Sequence, residues 1–220
     1  YNALLDHFQP RELVGLTATP ERGDGENVQK YFDYRVAHEL RLWDALRLQL
    51  LVPMHYYGIA DGTDLSSLTW SRGRKDYNSR ELSGFYIKAG EKRTRFIINE
   101  LNRRVFDLSE MKAIGFCVTI AHAKYMATQF QQFGIPARAV TNELSAVERA
   151  QAIRELEAGE VKVLFSVDIF NEGIDIPAVN TLLLLRPTQS PVVFLQQLGR
   201  GLRLSPGKDS CVIFDFIGQQ

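Results

Sequence analysis

The sequence lacks the short motifs that would let it carry out chemistry by itself. Its 220 residues contain no Gly-x4-Gly-Lys-[Ser/Thr] phosphate loop, no Asp-Glu dipeptide for holding Mg²⁺ and no Gly-x-Ser-x-Gly nucleophile turn. The four histidines, at positions 7, 38, 55 and 122, are scattered, so no Cys/His cluster has the spacing of a metal site. We therefore expect this chain alone to hydrolyse nothing.

An excess of charge of one sign is also lacking. The chain has 26 Lys and Arg against 26 Asp and Glu, which excludes a basic nucleic-acid tail, a polycationic membrane binder and an acidic tail as its dominant character. It contains no run of 18 apolar residues, and it opens on Tyr1 without a signal peptide. The sequence thus predicts a soluble, cytoplasmic fragment with no membrane contact, whose true N-terminus lies upstream.

Cysteine is scarce. Cys117 and Cys211 are the two cysteines, and each lies within an apolar run. We interpret them as thiols of buried strands, because a free cysteine behaves as a small apolar residue. A disulfide between them stays open as the alternative.

The chain does contain a regular alternation of short apolar runs with longer segments of helical period. Runs that are apolar almost throughout are typical of strands covered on both faces. Ser145 and Glu148 form a capping box, and Gly159 ends that helix. The alternation predicts an α/β fold with a doubly wound, mostly parallel sheet and helices on both faces. The predicted strands are 12–17, 112–118, 137–141, 161–167, 180–186 and 210–216, and the predicted helices are 92–107, 122–133 and 145–158.

Two stretches interrupt this alternation. Residues 1–40 contain one predicted strand and a loop, too little for a core of their own, as expected for the end of a preceding domain. Residues 61–90 are rich in Gly, Ser, Asp and Arg and have weak periodicity, so we expect an insertion there. The predicted organisation is a remnant at 1–40 and a complete domain at 41–220, with the insertion at about 61–90.

Three segments are candidates for chemistry, and we expect them at the carboxyl ends of strands, where open α/β sheets bind ligands. Residues 16–20 end the first predicted strand with two hydroxyls; a simple strand exit is the alternative. Residues 171–177 supply Gly173, which permits close backbone approach, and the acceptor Asp175; the alternative is an Asp-capped turn. Residues 196–203 place Arg200 and Arg203 at a helix end, where two guanidinium groups suit a polyphosphate. An ordinary ion-paired helix end is the alternative for these arginines.

A local basic region lies within the neutral chain. Between Arg72 and Arg104 there are ten Lys and Arg against four acidic residues, with aromatic residues at 70, 77, 85 and 86. Cations together with aromatic rings are typical of single-stranded nucleic-acid binding. A solvated helix face with aromatics packed in the core remains the alternative.

The segments LTATP, GFCVTIAHA, VLFSVDIFNEGIDIP and QQLGRGLR resemble motifs III, IV, V and VI of superfamily 2 helicases. The chain is most similar in style to the DEAD/DEAH-type branch that includes type III restriction subunits and DNA-repair helicases. That resemblance covers almost the whole chain and implies the end of one RecA-like lobe followed by a complete second lobe. Motifs I and II would lie on the missing part of the first lobe.

The resemblance also implies a role for each matching residue. Arg203 would be the finger on the γ-phosphate with Arg200 beside it, and Gly173, Asp175 and Gln196 would face the nucleotide. Val167 stands where many relatives have Thr before the motif V aspartate, so Ser166 would take over its phosphate contact. The residues implied in nucleic-acid contact or coupling are Thr17, Thr19, Thr119 and Ser166.

The implied function is that of a fragment of an ATP-dependent helicase or translocase acting on nucleic acid, with DNA favoured over RNA. ATP and Mg²⁺ are the implied cofactors, and the missing first lobe would hold most of the Mg²⁺ coordination. Partners would be the nucleic acid, the missing lobe in cis and possible further domains. Two alternatives stay open: a non-catalytic nucleic-acid- or partner-binding module, and the translocase subunit of a restriction enzyme.

Overall fold

The apolar runs of the second half of the chain form the strands of one parallel sheet. In a computed structural model, residues 2–17, 27–64, 68, 70–71, 76–167, 176–187 and 190–219 are described. The chain divides into two compact units, Tyr1–Asp44 and Ala45–Gln220.

The first unit contains little regular structure. It has the helix α1 (Asn2–Phe8) and a short 3-10 helix (Val28–Phe32), and α2 (Leu42–Arg47) begins at its end. The strand predicted at 12–17 is wrong, because these residues form no strand. Val14 and Leu16 are 85% and 97% exposed, so no neighbouring strand covers them.

The second unit is built on a six-stranded sheet in the order β1-β8-β7-β4-β6-β5. All of its strand pairs are parallel. A separate antiparallel pair is formed by β2 (Trp70–Ser71) and β3 (Asp76–Tyr77). The sheet strands are β1 (Met54–Asp64), β4 (Ala113–Phe116), β5 (Ala137–Val140), β6 (Val163–Ser166), β7 (Thr181–Leu184) and β8 (Cys211–Gln219).

Helices cover both faces of this sheet, as expected for a doubly wound fold. The connections that move along the sheet toward β5 carry α3 (Ser79–Arg104) and α4 (Ile120–Gln132). Those that move toward β1 carry α5 (Ala146–Ala158) and α6 (Pro191–Gly201). Because crossovers between parallel strands are right-handed, the two helix pairs lie on opposite faces. The predicted capping box of α5 and its end at Gly159 are confirmed.

The core lies between the sheet and the α3–α4 face. Phe130 of α4 packs edge-to-face on Phe165 of β6, with ring centroids 4.9 Å apart. Ile97 and Leu101 of α3 are fully buried in the same cluster. Both cysteines are buried free thiols, as the apolar runs predicted. Burial raises the pKa of Cys117 and raises that of Cys211 to about 12, so neither is a reactive thiolate.

Helix α3 begins inside the segment expected as an insertion. Asn78 caps it by accepting from Arg80 N–H at 3.0 Å, and the helix is interrupted at Gly90, whose φ of 61° and ψ of −145° are not helical. The segment before Gly90 packs Leu82 and Tyr86 into a small cluster beside Val118. In the described part of the chain, helices long and apolar enough to span a bilayer are absent.

Candidate functional site

The predicted site residues fall at two different rims of the sheet. Thr119 and Ser166 lie at the carboxyl ends of β4 and β6, whereas Gln196, Arg200 and Arg203 belong to α6 and the segment after it. Thr17 is exposed in the first unit. The predicted positions Thr19, Gly173 and Asp175 lie outside the described residues.

The carboxyl rim brings β4 and β6 together in register. Phe116 is paired with Ser166, and Cys117 N–H donates to the Ser166 carbonyl at 2.8 Å. The Ser166 side chain is fully buried, and its hydroxyl has no hydrogen-bond partner among the described residues. Ser166 thus lies directly beside the start of the Thr119 segment, but beneath the surface.

Thr119 is the N-cap of α4. Its hydroxyl accepts from His122 N–H at 3.2 Å and is 2.6 Å from the hydroxyl of Ser83 on α3. This capping satisfies one of the free amides of the first turn, while the helix N-terminus keeps a partial positive charge that favours an anion. Residues of two helices therefore set the orientation of the Thr119 hydroxyl.

A buried stack of rings lies behind Thr119. The Nδ1 atom of His122 accepts from Val118 N–H at 3.3 Å, and its ring stacks on Tyr86 at a centroid distance of 5.3 Å. Burial, with the Arg93 charge, lowers the pKa of His122 to about 3, so the imidazole is neutral. The guanidinium carbon of Arg93 lies 3.9 Å from the centroid of the Tyr86 ring, and Arg93 pairs with Asp61 at 3.0 Å.

The arginine end of α6 lies at the opposite rim, which corrects the expectation that every motif would meet at the carboxyl ends. Helix α6 follows β7 and runs back along the sheet, so its last turn lies near the amino ends of β7 and β8. A Cβ on Gly201 would come 2.6 Å from Cys211 Sγ and 2.8 Å from Leu182 Cγ. Any larger residue would force these buried side chains to move, so glycine allows the last turn of α6, which carries Arg200, to pack closely on the sheet.

The backbone after α6 is held by donors from outside the helix. Val52 N–H donates to the Leu202 carbonyl at 2.9 Å. Lys208 Nζ donates to the Arg203 carbonyl at 2.9 Å and to the Pro177 carbonyl at 3.0 Å. Because one nitrogen binds both oxygens, the end of motif V and the end of motif VI are neighbours at this rim.

The charges of this rim are partly desolvated. Arg200 and Arg203 are each half-buried. Burial is the main cause that lowers the pKa of Lys208. Gln196, the predicted opening residue of motif VI, is half-buried. The adjacent Gln197 is 1% exposed, and within the described part of the chain its amide has no hydrogen-bond partner. The buried polar residue of this pair is therefore not the one that the motif indicated.

The basic and aromatic region offers fewer unpaired cations and exposed rings for nucleic-acid binding than its composition suggested. Of its seven cations within 76–104, four form ion pairs with acidic residues. Tyr86 is 1% exposed and belongs to the buried stack. For these residues the structure favours the alternative of a solvated helix face with aromatics packed in the core, and it adds ion pairs along that helix. The pairs are Arg93–Asp61, Arg95–Glu91, Arg103–Glu100 and Arg104–Glu100.

Three residues of the site were missed by the sequence reasoning. Ser83 is 36 positions from Thr119, and no local pattern links the two. His122 stands in the predicted helix, but its burial depends on Tyr86 and Arg93. Lys208 follows a Pro-Gly turn signature, which predicts the turn but not the carbonyls that the side chain reaches.

Comparison with known proteins agrees with this architecture. Residues 94–205 match the family described as "Helicase conserved C-terminal domain". The putative ATP-dependent helicase IRC3 of Saccharomyces cerevisiae is 30% identical over 224 residues, which cover 99% of this chain and 32% of that protein. The UvrABC system protein B of Fervidobacterium nodosum is 28% identical over 122 residues, covering 52% of this chain and 18% of that protein.

A solved structure shares the fold over nearly the whole chain. The ATP-dependent type ISP restriction-modification enzyme LlaBIII, bound to DNA, superposes with a TM-score of 0.60 at 20% identity, covering 94% of this chain and 15% of that one. The chain spans only 32% of the yeast relative's length. With the family match across 94–205 and the parallel, doubly wound sheet, the chain belongs to the helicase C-terminal domain family, and its second unit has the RecA-like fold of a superfamily 2 C-terminal lobe.

Proposed function

We propose that the intact protein is a cytoplasmic ATP-dependent helicase or translocase that moves along nucleic acid, with DNA favoured over RNA. This lobe supplies the arginine finger Arg203, with Arg200 beside it, and backbone contacts to the nucleic-acid strand. The observation that carries the proposal is the meeting of motifs V and VI, where the Pro177 and Arg203 carbonyls share the Lys208 ammonium.

The nucleotide rim has the chemistry that a triphosphate needs from this lobe. Arg200 and Arg203 are half-buried cations beside the end of motif V, and a guanidinium in such a place stabilises charge that develops on a transferring phosphoryl group. Gly173, Asp175 and Gln196 would face the nucleotide. Mg²⁺ would neutralise the phosphates and is expected to be held mainly by the preceding lobe.

Closure of the cleft would turn hydrolysis on. An arginine finger is worth about 10³–10⁵ in rate, so a lobe that brings Arg203 in only when the cleft is closed acts as a switch. Nucleic acid bound across both lobes would favour the closed state, and by linkage its binding and ATP turnover would be coupled. Residues 1–40 would be the end of the first lobe, and Thr17 and Thr19 would serve this coupling.

The carboxyl rim would hold the strand. Thr119 offers a hydroxyl at a helix N-terminus, a place that favours phosphate oxygens, and Ser166 lies beside it. Contacts of this kind fix position without reading bases. The restriction enzyme of the same fold is bound to DNA in its solved structure, which supports DNA as the first substrate to test.

The test is Arg203→Ala in the full-length protein. It should abolish the ATP hydrolysis that single-stranded DNA stimulates, while the Kd for that DNA stays unchanged. Arg154→Ala, an exposed arginine of α5, is the matched control and should keep wild-type turnover. Undiminished hydrolysis in Arg203→Ala would remove the finger assignment, and measurable turnover by the 220-residue chain alone would contradict the role given to the missing lobe.

A translocase subunit of a restriction enzyme is the second candidate, because a type ISP restriction enzyme has the same fold over 94% of the chain. It shares the motor and differs by a nuclease in the same protein or complex. DNA cleavage by the purified full-length protein would favour it. A non-catalytic binding module would instead bind nucleic acid with no ATP turnover in the intact protein.

A further inference from the structure

The side chain of Lys208 links the ends of motif V and motif VI, which are separate segments of the sequence. Its ammonium donates to the carbonyl of Arg203, which ends motif VI, and to that of Pro177, which ends motif V. The side chain is half-buried, and burial is the main cause that lowers the pKa of its ammonium. Lys208 therefore touches the backbone of the finger segment without being part of either motif.

The local sequence places this lysine. Ser205, Pro206, Gly207 and Lys208 form a turn in which Lys208 N–H donates to the Ser205 carbonyl at 3.1 Å. Gly207 has a φ of 74°, and proline followed by glycine is the signature of a type II turn. This turn reverses the chain after Arg203, so the lysine can point back at the segment it follows.

A cation is well suited to this position. Arg203 directly follows Leu202, the C-cap of α6, so its carbonyl lies at the negative end of the helix dipole, which attracts a positive charge. An ammonium has three donors and no acceptor, so it can bind two convergent carbonyl oxygens at once. A neutral side chain of the same length would leave both oxygens without their donor.

We propose that Lys208 is a positioning residue that holds the backbone of Arg203 against the end of motif V. It touches neither the nucleotide nor the reacting atoms; it acts through Arg203. When the cleft closes, the reach of the finger depends on where its own backbone lies, and Lys208 fixes that place relative to Pro177, the end of motif V. The inference rests on the proposed function, because it needs Arg203 to be the finger.

The experiment compares Lys208→Met with wild type in the full-length protein, using ATP and a single-stranded DNA oligonucleotide. Because a displacement of about 1 Å can cost about 10²-fold in rate, kcat should fall by about 10- to 100-fold. The KM for ATP and the Kd for the DNA should change little. Lys208→Arg keeps the charge and the donors and should retain most of the wild-type kcat.

A matched control separates this role from general stabilisation. Lys112 also donates to a backbone carbonyl, that of Glu157 at 2.7 Å, and Glu157 belongs to neither motif. Lys112→Met should keep the wild-type kcat. Should Lys208→Met fail to fold, Lys208→Gln, which retains a neutral donor, takes its place and should show a smaller loss of kcat in the same direction.

A double variant shows whether Lys208 acts through Arg203. Residual single-turnover hydrolysis should be the same in Arg203→Ala and in Arg203→Ala with Lys208→Met, because the second change has nothing left to position. Equal losses from Lys208→Met in both backgrounds would overturn the inference, as would full kcat in Lys208→Met. If Arg203→Ala alone keeps full activity, the finger assignment and this inference both fail; a loss in Arg203→Ala with none in Lys208→Met overturns the inference alone.

Discussion

His122 should make the second unit sensitive to mild acid. The side chain is fully buried, stacks on Tyr86 and accepts from Val118 N–H through Nδ1. Protonation would remove that acceptor and place a charge near Arg93. The imidazole of His122 therefore binds a proton less readily in the folded protein than in the unfolded chain.

The sign and size of this change in stability follow from the pKa of His122 in the folded and unfolded states. Burial, with the Arg93 charge, lowers the pKa of His122 to about 3 in the folded protein, against about 6.5 in an unfolded chain. Between these values the unfolded state binds more protons, so stability falls as the pH falls from 6.5 toward 3. At pH 5 the loss attributable to His122 is about 2 kcal/mol, by linkage.

The assay is urea unfolding of the chain at pH 7.5 and at pH 5, followed by circular dichroism. His122→Phe keeps a ring on Tyr86 but cannot titrate, so its stability should change between the two pH values by about 2 kcal/mol less than that of the wild type. His55→Gln, an exposed histidine of β1, should keep the wild-type difference.

Equal acid sensitivity in the wild type and His122→Phe would refute this reasoning. Titration of Asp215 does not produce the same loss of stability in acid. Burial raises the pKa of this carboxyl, although the hydroxyl of Tyr56 donates to it at 2.5 Å. Its raised pKa makes the folded state gain a proton first, so Asp215 stabilises the fold on acidification, opposite in sign to His122.

Two further predictions concern the two rims. Gly201→Ala should destabilise the protein by about 1–3 kcal/mol, because its methyl group would overlap buried atoms of β7 and β8. Gly199→Ala, in the same helix with open space beside it, should be neutral or stabilising by up to about 1 kcal/mol; equal melting temperatures for the two variants would contradict this. Ser83→Ala should weaken single-stranded DNA binding by the full-length protein by about 5- to 10-fold, since the Thr119 hydroxyl loses the hydrogen-bond partner that sets its orientation toward a phosphate. Fluorescence anisotropy measures this change, Ser83→Thr should restore binding, and an unchanged Kd for Ser83→Ala would count against the role of Thr119.

Much of the sheet could be predicted because its central strands are covered on both faces. The apolar runs of β4, β6 and β7 need no alternation, and each was found within two residues. Strand β1 was missed because it is an edge strand in which exposed His55 and Tyr56 and buried Ile59 give a mixed pattern. The run at 12–17 has the composition of a strand but no neighbouring strand among the described residues. Without such a partner its backbone cannot form the hydrogen bonds of a sheet.

Residues of the site could be predicted from the sequence only where they belong to a recognisable motif. Thr119 follows β4 directly, so its capping position could be read from the local sequence. The partner Ser83 is brought to it by the packing of α3, and Lys208 meets Pro177 across 31 positions. Contacts of this length depend on how α3 and β8 are placed in the fold, which a single sequence states only indirectly.

The pair formed by Arg93 and Asp61 has a practical consequence. Their side chains are 6% and 0% exposed, so dissolved ions cannot reach them to weaken the attraction. The proposed phosphate contacts at the surface would be different, because at about 1 M ionic strength charges are screened within about 3 Å. Concentrated sodium chloride should therefore strip co-purifying nucleic acid from the protein while α3 stays fixed to β1, which makes a high-salt wash a safe step in purification.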